Sequence, residues 1–338
     1  MKKVISLLLM LMLIVGTFVG CGGNGGGGGG GEDGAGTGLV GGGRDFSDQE
    51  YVYLTIVSHV PYWTDTKMGL ESAARFLGVR TTFMGPPDAN IAEQIRMMDD
   101  LIARRPAGII VFAADPAIND SINRARAAGI NVITDNSDAP DSDRLSWTGF
   151  DGYNMGRVGG RKMVELLGGE GRVLIGGFPS ANVQERIRGY ISVFDEYPGI
   201  EVVAVLNDEA DPVRAPEIYT QALIAHPNID GIVGTNGDSG RGIALALTEL
   251  GLAGQVRVIA MDRNDDMLPF IVDGVIDATV VDKAYMNAFL GVNMLFWLYN
   301  DIVNPVDGWR DHGINILPER VDSSVMIVTR ENVDQFLR

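Results

Sequence analysis

Carboxylates and amides gather wherever an apolar run of this chain ends. The densest case is VITDNSDAPDS, Val132 to Ser142, where a β-branched run stops at Asp135 and Asn136, Ser137, Asp138, Asp141 and Ser142 follow. The first apolar run ends at Ser58 and His59, with Tyr62 and Trp63 close behind. Asn182 and Arg186 follow the run at 172–177, and Asp208, Glu209 and Asp211 follow the run at 200–206. Asn236 and Asp238 end the run at 231–235; Asp262, Arg263 and Asn264 end that at 256–261; Asp282 and Lys283 end that at 278–281. Amides and carboxylates bond hydroxyl groups two at a time, charge-assisted bonds are the strong ones, and an aromatic face covers the C–H face of a sugar ring. The set therefore suits an uncharged polyhydroxylated ligand. Each Asp or Asn alone also reads as a helix cap or turn residue; the ordered set carries the argument. The candidate contacts are Ser58, His59, Tyr62, Trp63, Asn136, Asp138, Asn182, Arg186, Asp211, Asn236, Asp262 and Asp282.

Other chemistries fit these residues poorly. DRNDDM (262–267) begins like a calcium loop, but Met267 stands where that loop needs Gly and Asp273 where it needs a bidentate Glu. Three scattered histidines (His59, His226, His312) and one cysteine lack zinc-ligand spacing. No Gly-x-Ser-x-Gly elbow is present. No Gly-x-Gly-x-x-Gly opens a helix after the first strand; GYNMGRVGG lies inside a helical pattern. No metal or cofactor is expected. Two carboxylates suffice for glycoside hydrolysis, so a secreted carboxylate-dependent hydrolase stays open as an alternative, as does a ligand-sensing module for a membrane receptor.

The elements that position these tips alternate in type. YVYLTIVS (51–58), VRTTFM (79–84), GIIVFA (108–113) and INVIT (130–134) read as strands. Between them, 64–77, a segment capped by Asn90 with Ile91, Ile95, Met98 and Ile102 on one face, and 117–128 read as helices. The second half continues the rhythm to a long helix at 285–300, a strand in SSVMIVT and a short helix from Glu331. Unbroken apolar strands alternating with helices imply mainly parallel sheets covered on both faces. The units are too many for one small sheet, so an α/β fold of two Rossmann-like lobes is expected, with an eight-stranded barrel as the competing architecture.

The N-terminus sets the compartment. Lys2 and Lys3 precede a short apolar run that ends at Cys21, the pattern of a secretory signal in residues 1–20. TFVGC resembles a bacterial lipobox, with Phe18 where leucine is commoner, so Cys21 is the expected lipidation site. As the only cysteine, it forms no internal disulfide. Residues 21–48, with their long glycine run, read as a flexible tether. A formal charge of −17 argues against nucleic acid, which needs a basic footprint.

Taken in order, the motifs resemble the sugar-binding type I periplasmic proteins, the ribose- and galactose-binding-protein-like family of ABC importers. The resemblance spans Tyr51 to Thr329 and rests on PYW, VITDNSDAPDSDRL, TGFDGYNMGR, NVQERIRGY, AHPNIDGIVGTNGDSGRGIALAL, VRVIAMDRND and IVDGVIDATVVDKAYMNAFLGV. It implies two lobes joined by three hinge crossings near Asp151, Asp282 and Gly313, with lobes of 49–151 plus 283–312 and 152–282 plus 313–338. It also implies a monomeric binding protein that delivers a monosaccharide or similar polyol to ABC importer membrane subunits, exported and held at a membrane by its lipid. On that resemblance Tyr62 and Trp63 match the aromatic pair flanking the sugar, and Asn136 and Asp138 the acidic cluster after strand four. Arg186 matches an arginine to ring or hydroxyl oxygens, Asn236 and Asp262 the amide and carboxylate of the second lobe, and Asp282 a hinge-side contact. Asn136 stands where the family usually has Asp, Asp282 where it often has Gln, and Gly152 where it often has Asn.

Overall fold

The computed structural model describes residues 44–60 and 62–337. The expected export signal, Cys21 and the long glycine run lie outside the described residues. All the described residues belong to one unit, Thr37–Arg338.

The first half builds β1 (Glu50–Leu54), α1 (Trp63–Leu77), β2 (Arg80–Met84), α2 (Ile91–Arg104), β3 (Gly108–Val111), α3 (Asn119–Ala127), β4 (Val132–Asp135) and β5 (Trp147–Gly149). The second builds α4 (Gly152–Leu167), β6 (Glu170–Gly177), α5 (Ala181–Phe194), β7 (Gly199–Asn207), α6 (Arg214–Ala225) and β8 (Gly231–Gly234). It continues with α7 (Gly237–Glu249), β9 (Arg257–Met261), α8 (Leu268–Val272) and β10 (Ala278–Asp282). The tail adds α9 (Ala284–Tyr299), β11 (Arg320–Asp322) and β12 (Val325–Thr329).

These strands form two six-stranded sheets with the same wiring. The first runs β11-β5-β4-β3-β1-β2 and the second β12-β10-β9-β8-β6-β7. Every pairing is parallel except β10 with β12. Helices cover both faces of each sheet, so inner strands such as GIIV and VITD are buried at every residue. Strand alternation sorts the side chains: Tyr51 and Tyr53 face the layer of α1 and α9, while Val52 and Leu54 pack with Met98 and Ile122 from α2 and α3. The second lobe repeats the scheme, with Val173 and Ile175 toward α4–α5 and Leu174 toward α6–α7. The α/β architecture with two parallel-dominated sheets is the one expected from the strand–helix rhythm.

The chain passes between the lobes at Phe150–Asp151, between β10 and α9 at Lys283, and between β11 and β12 at Ser323–Ser324. The last position corrects the expectation of a crossing near Gly313. Arg320, Val321 and Asp322 pair with Trp147, Thr148 and Gly149, so β11 completes the first sheet. Asn315, Pro318 and Glu319 likewise bond to Leu145, Ser146 and Arg144 of the first lobe. Ser323 N then donates to Gly149 O at 2.8 Å, and Ser324 turns with φ 61° into β12. The tether boundary is also corrected: Phe46 is buried edge-on against Phe296 at 4.9 Å, so the packed body starts before residue 49.

Close helix packing seats one candidate side chain. A Cβ at Gly156 of α4 would lie 2.0 Å from Arg186 O, and one at Gly189 of α5 would lie 2.1 Å from Tyr153 O. The two glycines let the α4 and α5 backbones touch, and that contact fixes the height of Arg186. The glycine-rich GYNMGRVGG is thus a helix-packing stripe.

Candidate binding cleft between the lobes

Equivalent strands of the two sheets end in the same backbone turn. Asn136 follows β4 with φ 60°, and Asp262 follows β9 with φ 64°. Asn and Asp tolerate this left-handed region better than most residues. Each is pinned to the neighbouring strand: Asn136 N donates to Thr148 O at 2.8 Å and Asp262 N to Val280 O at 2.9 Å. The repeated wiring therefore presents one amide and one carboxylate from opposite lobes.

A cavity of ≈ 460 Å³ lies between the lobes. Tyr62, Thr64, Asp65 and Ala284 line it from the first lobe, and Asp238, Asp262, Asn264, Val281 and Asp282 from the second, with Arg263, Asp265 and Asp266 completing it. Tyr62 ties its two sides together. Its hydroxyl donates to Asp282 Oδ2 at 2.6 Å and accepts from Asn136 Nδ2. Burial pushes the Asp282 carboxyl up to about 7, the hydrogen bond from Tyr62 opposing the shift and repulsion from Asp262 and Asp135 adding to it. Burial also raises Asp262, and the positive charge of Arg186 opposes that rise. Behind Asn136, Asp135 accepts from Tyr53 Oη at 2.8 Å and Thr148 Oγ1 at 2.9 Å. Burial still lifts its carboxyl to about 6 against those bonds.

Arg186 is 7% exposed. Its Nη1 donates to Thr235 O at 2.9 Å, and its guanidinium stands 5.5 Å from the centroid of the Phe150 ring. Its Nε is buried with no protein partner. A buried guanidinium N–H left unbonded is costly; Arg126 Nε is buried without a protein partner too, and what sets Arg186 apart is its charge beside Asp262 and Asp282.

Of the expected contacts, Tyr62, Asp262 and Asp282 line the cavity, Asn136 stands behind it through its bond to Tyr62, and Arg186 lies close enough to lower both the Asp262 and the Asp282 carboxyls. The other expected contacts sit elsewhere. Trp63 is 2% exposed; its Nε1 donates to Val57 O at 2.6 Å, and its ring packs against Tyr53, Tyr62, Phe83 and Phe112. It is a core residue with no free face for stacking. Asp138 accepts Arg144 Nε and Nη2 at 2.6 and 2.8 Å, Thr134 Oγ1 at 2.6 Å and Arg320 Nη1 at 3.3 Å, which saturates its carboxylate. Asn236 caps α7 through Asp238 N and Ser239 N and donates to buried Asp208. Asp211 accepts from Val213 N and Arg214 N at the start of α6. Asn182 is exposed and accepts from Ser180 Oγ and Val183 N. Ser58 and His59 line a separate cavity of ≈ 440 Å³ with Lys67, Phe83 and Met97. Asp65 and Phe150 were not among the sequence candidates. Asp65 lies in the first turn of α1, away from any strand end, and Phe150 follows β5 but is apolar, so neither matches the pattern of carboxylates and amides at strand ends. Among the described residues, no group of three or more His, Cys, Asp or Glu is arranged to hold a metal ion.

Residues 51–299 match the family model described as periplasmic binding protein domain. The chain belongs to that family. This periplasmic binding protein is 34% identical to a sugar-binding protein of a sugar ABC transporter from Bacillus halodurans, whose crystal structure superposes with a TM-score of 0.81, covering 85% of this chain and 100% of that one. An arabinose-binding protein from Geobacillus stearothermophilus is 32% identical with a TM-score of 0.80, over 86% of this chain and 99% of the other. The D-allose-binding periplasmic protein of Escherichia coli strain K12 is 27% identical over 70% of this chain and 80% of its own length. The family is one of solute-binding proteins rather than enzymes.

Proposed function

We propose that the protein captures a monosaccharide or similar polyol in the cleft between its lobes and hands it to an ABC importer. The observation that carries this reading is the unpaired Nε of buried Arg186, set beside Asp262 and Asp282 at the ≈ 460 Å³ cavity. A hydroxyl or ring oxygen satisfies that donor, while the nearby carboxylates accept from neighbouring hydroxyls. Tyr62, Asn136, Arg186, Asp262 and Asp282 are the proposed contacts. Relatives named for D-allose, arabinose and D-ribose support the ligand class. The lipobox-like TFVGC and the glycine tether support export and attachment to a membrane through acylated Cys21.

Thermal unfolding against a panel of neutral pentoses, hexoses and polyols tests the reading. A ligand at a hundred times its dissociation constant stabilises the native state by about 2.7 kcal/mol, a shift of several degrees. No stabilisation by any member overturns it, and recovery of the bound sugar unchanged after long incubation separates binding from hydrolysis.

A further inference from the structure

Arg263 follows Asp262 in the loop after β9, yet its guanidinium reaches the other lobe. Nε donates to Asp65 Oδ2 at 2.8 Å and Nη2 to Asp65 Oδ1 at 2.7 Å, a bidentate pair to the first turn of α1. The two side chains are 13% and 25% exposed. On its own side, Arg263 Nη1 donates to Phe336 O at 3.2 Å, and the guanidinium carbon lies 5.6 Å from the Phe336 ring centroid. The C-terminal segment thus presents the arginine already aimed, so less rotamer freedom is lost when it grips. Asp65 sits where the dipole of α1 favours a negative charge. Both residues line the cavity.

An ion pair inside one lobe contributes equally whether the lobes are together or apart. A pair between lobes exists only while they are together, so its free energy enters the closure equilibrium in full. A protein that must close around its guest loses apparent affinity in proportion to the fraction left open, and whatever closes the free form restores it for any guest.

We propose that Arg263 is a positioning residue that clasps the second lobe to Asp65 of the first, setting how far the free protein is closed and raising the affinity of every guest by a common factor. This rests on the cleft being the binding site. It assigns Arg263 and Asp65 to affinity and leaves selectivity to Tyr62, Asn136, Arg186, Asp262 and Asp282.

The test uses Asp65→Asn, Arg263→Gln and the double variant in the full chain. Calorimetric titration with D-arabinose, D-allose and D-xylose gives the affinity loss, and small-angle scattering of the ligand-free proteins gives their closure. The expected result is a roughly tenfold loss, typical of coupling between sites, equal for each sugar that the parent binds. The double variant is expected to be no weaker than either single one, and the ligand-free variants to have a larger radius of gyration than the parent. Losses that differ from sugar to sugar overturn the proposal by showing direct contact; an unchanged radius overturns it by showing an idle pair. If the parent binds no sugar, the functional reading fails, and the scattering comparison still decides the clasp.

Discussion

Arg186 and Asp282 illustrate how burial makes a side chain demand a partner. Arg186→Ala removes a buried unpaired donor and the charge that offsets Asp262 and Asp282. Sugar affinity measured by calorimetry is expected to fall by about 2 kcal/mol, with Arg186→Lys recovering only part because a single ammonium cannot keep both Thr235 and the ligand. Asp282 bears on stability instead. Its folded-state carboxyl sits at about 7 against 3.8 for an ordinary aspartate, so the native state holds that proton more tightly than the unfolded chain. The stabilisation it gives is complete below about pH 4 and is lost as pH rises through 7. Asp282→Asn is therefore expected to be more stable than the parent at pH 8, the gap narrowing toward pH 4, in urea titrations across that range. A gap independent of pH would show that the carboxyl is not perturbed.

At the scale of elements, the glycine contact between α4 and α5 couples packing to the cleft. Gly156→Val places branched carbons where Arg186 O stands. The helices must separate, at a typical cost of 1–3 kcal/mol, and Arg186 shifts with α5. Urea midpoint and sugar affinity are expected to fall together, whereas a core substitution remote from α5 lowers only the first. Elements were also what the sequence displayed best. Asn90 caps α2 as its position suggests, accepting from Glu93 N at 3.0 Å. What escaped was short or distant. The three residues of β11 are too few to show a period. Trp63 directly follows Tyr62, and the start of α1 turns one ring to the cleft and the other into the core. Asp138 has the type and place of a ligand contact, but Arg144 and Arg320 claim it from the same lobe. Asp65 and Arg263 are 198 positions apart, beyond any local pattern.

At the scale of the whole molecule, the tail stitches both halves. β11 closes the edge of the first sheet, β12 closes that of the second, and Phe336 backs Arg263. Ending the chain after Asp322 strips β12 from β10 and leaves an unpaired edge next to the hinge. The expected outcome is a lower calorimetric unfolding temperature and a larger aggregated fraction on size exclusion, although the first lobe keeps all its strands. A truncated protein as stable and as soluble as the parent would show that β12 is dispensable.

The matching strand order of the two sheets gives anyone wishing to retune this receptor a pair of interchangeable handles. Asn136 and Asp262 end corresponding strands with the same left-handed turn, one from each side of the gap. Exchanging them, Asn136→Asp with Asp262→Asn, would carry one negative charge from one wall to the opposite wall while leaving the backbone and the total charge as they were. The exchange would also take from Tyr62 the amide donor whose bond it now accepts, so the hydroxyl bridging the two walls would have to find another partner.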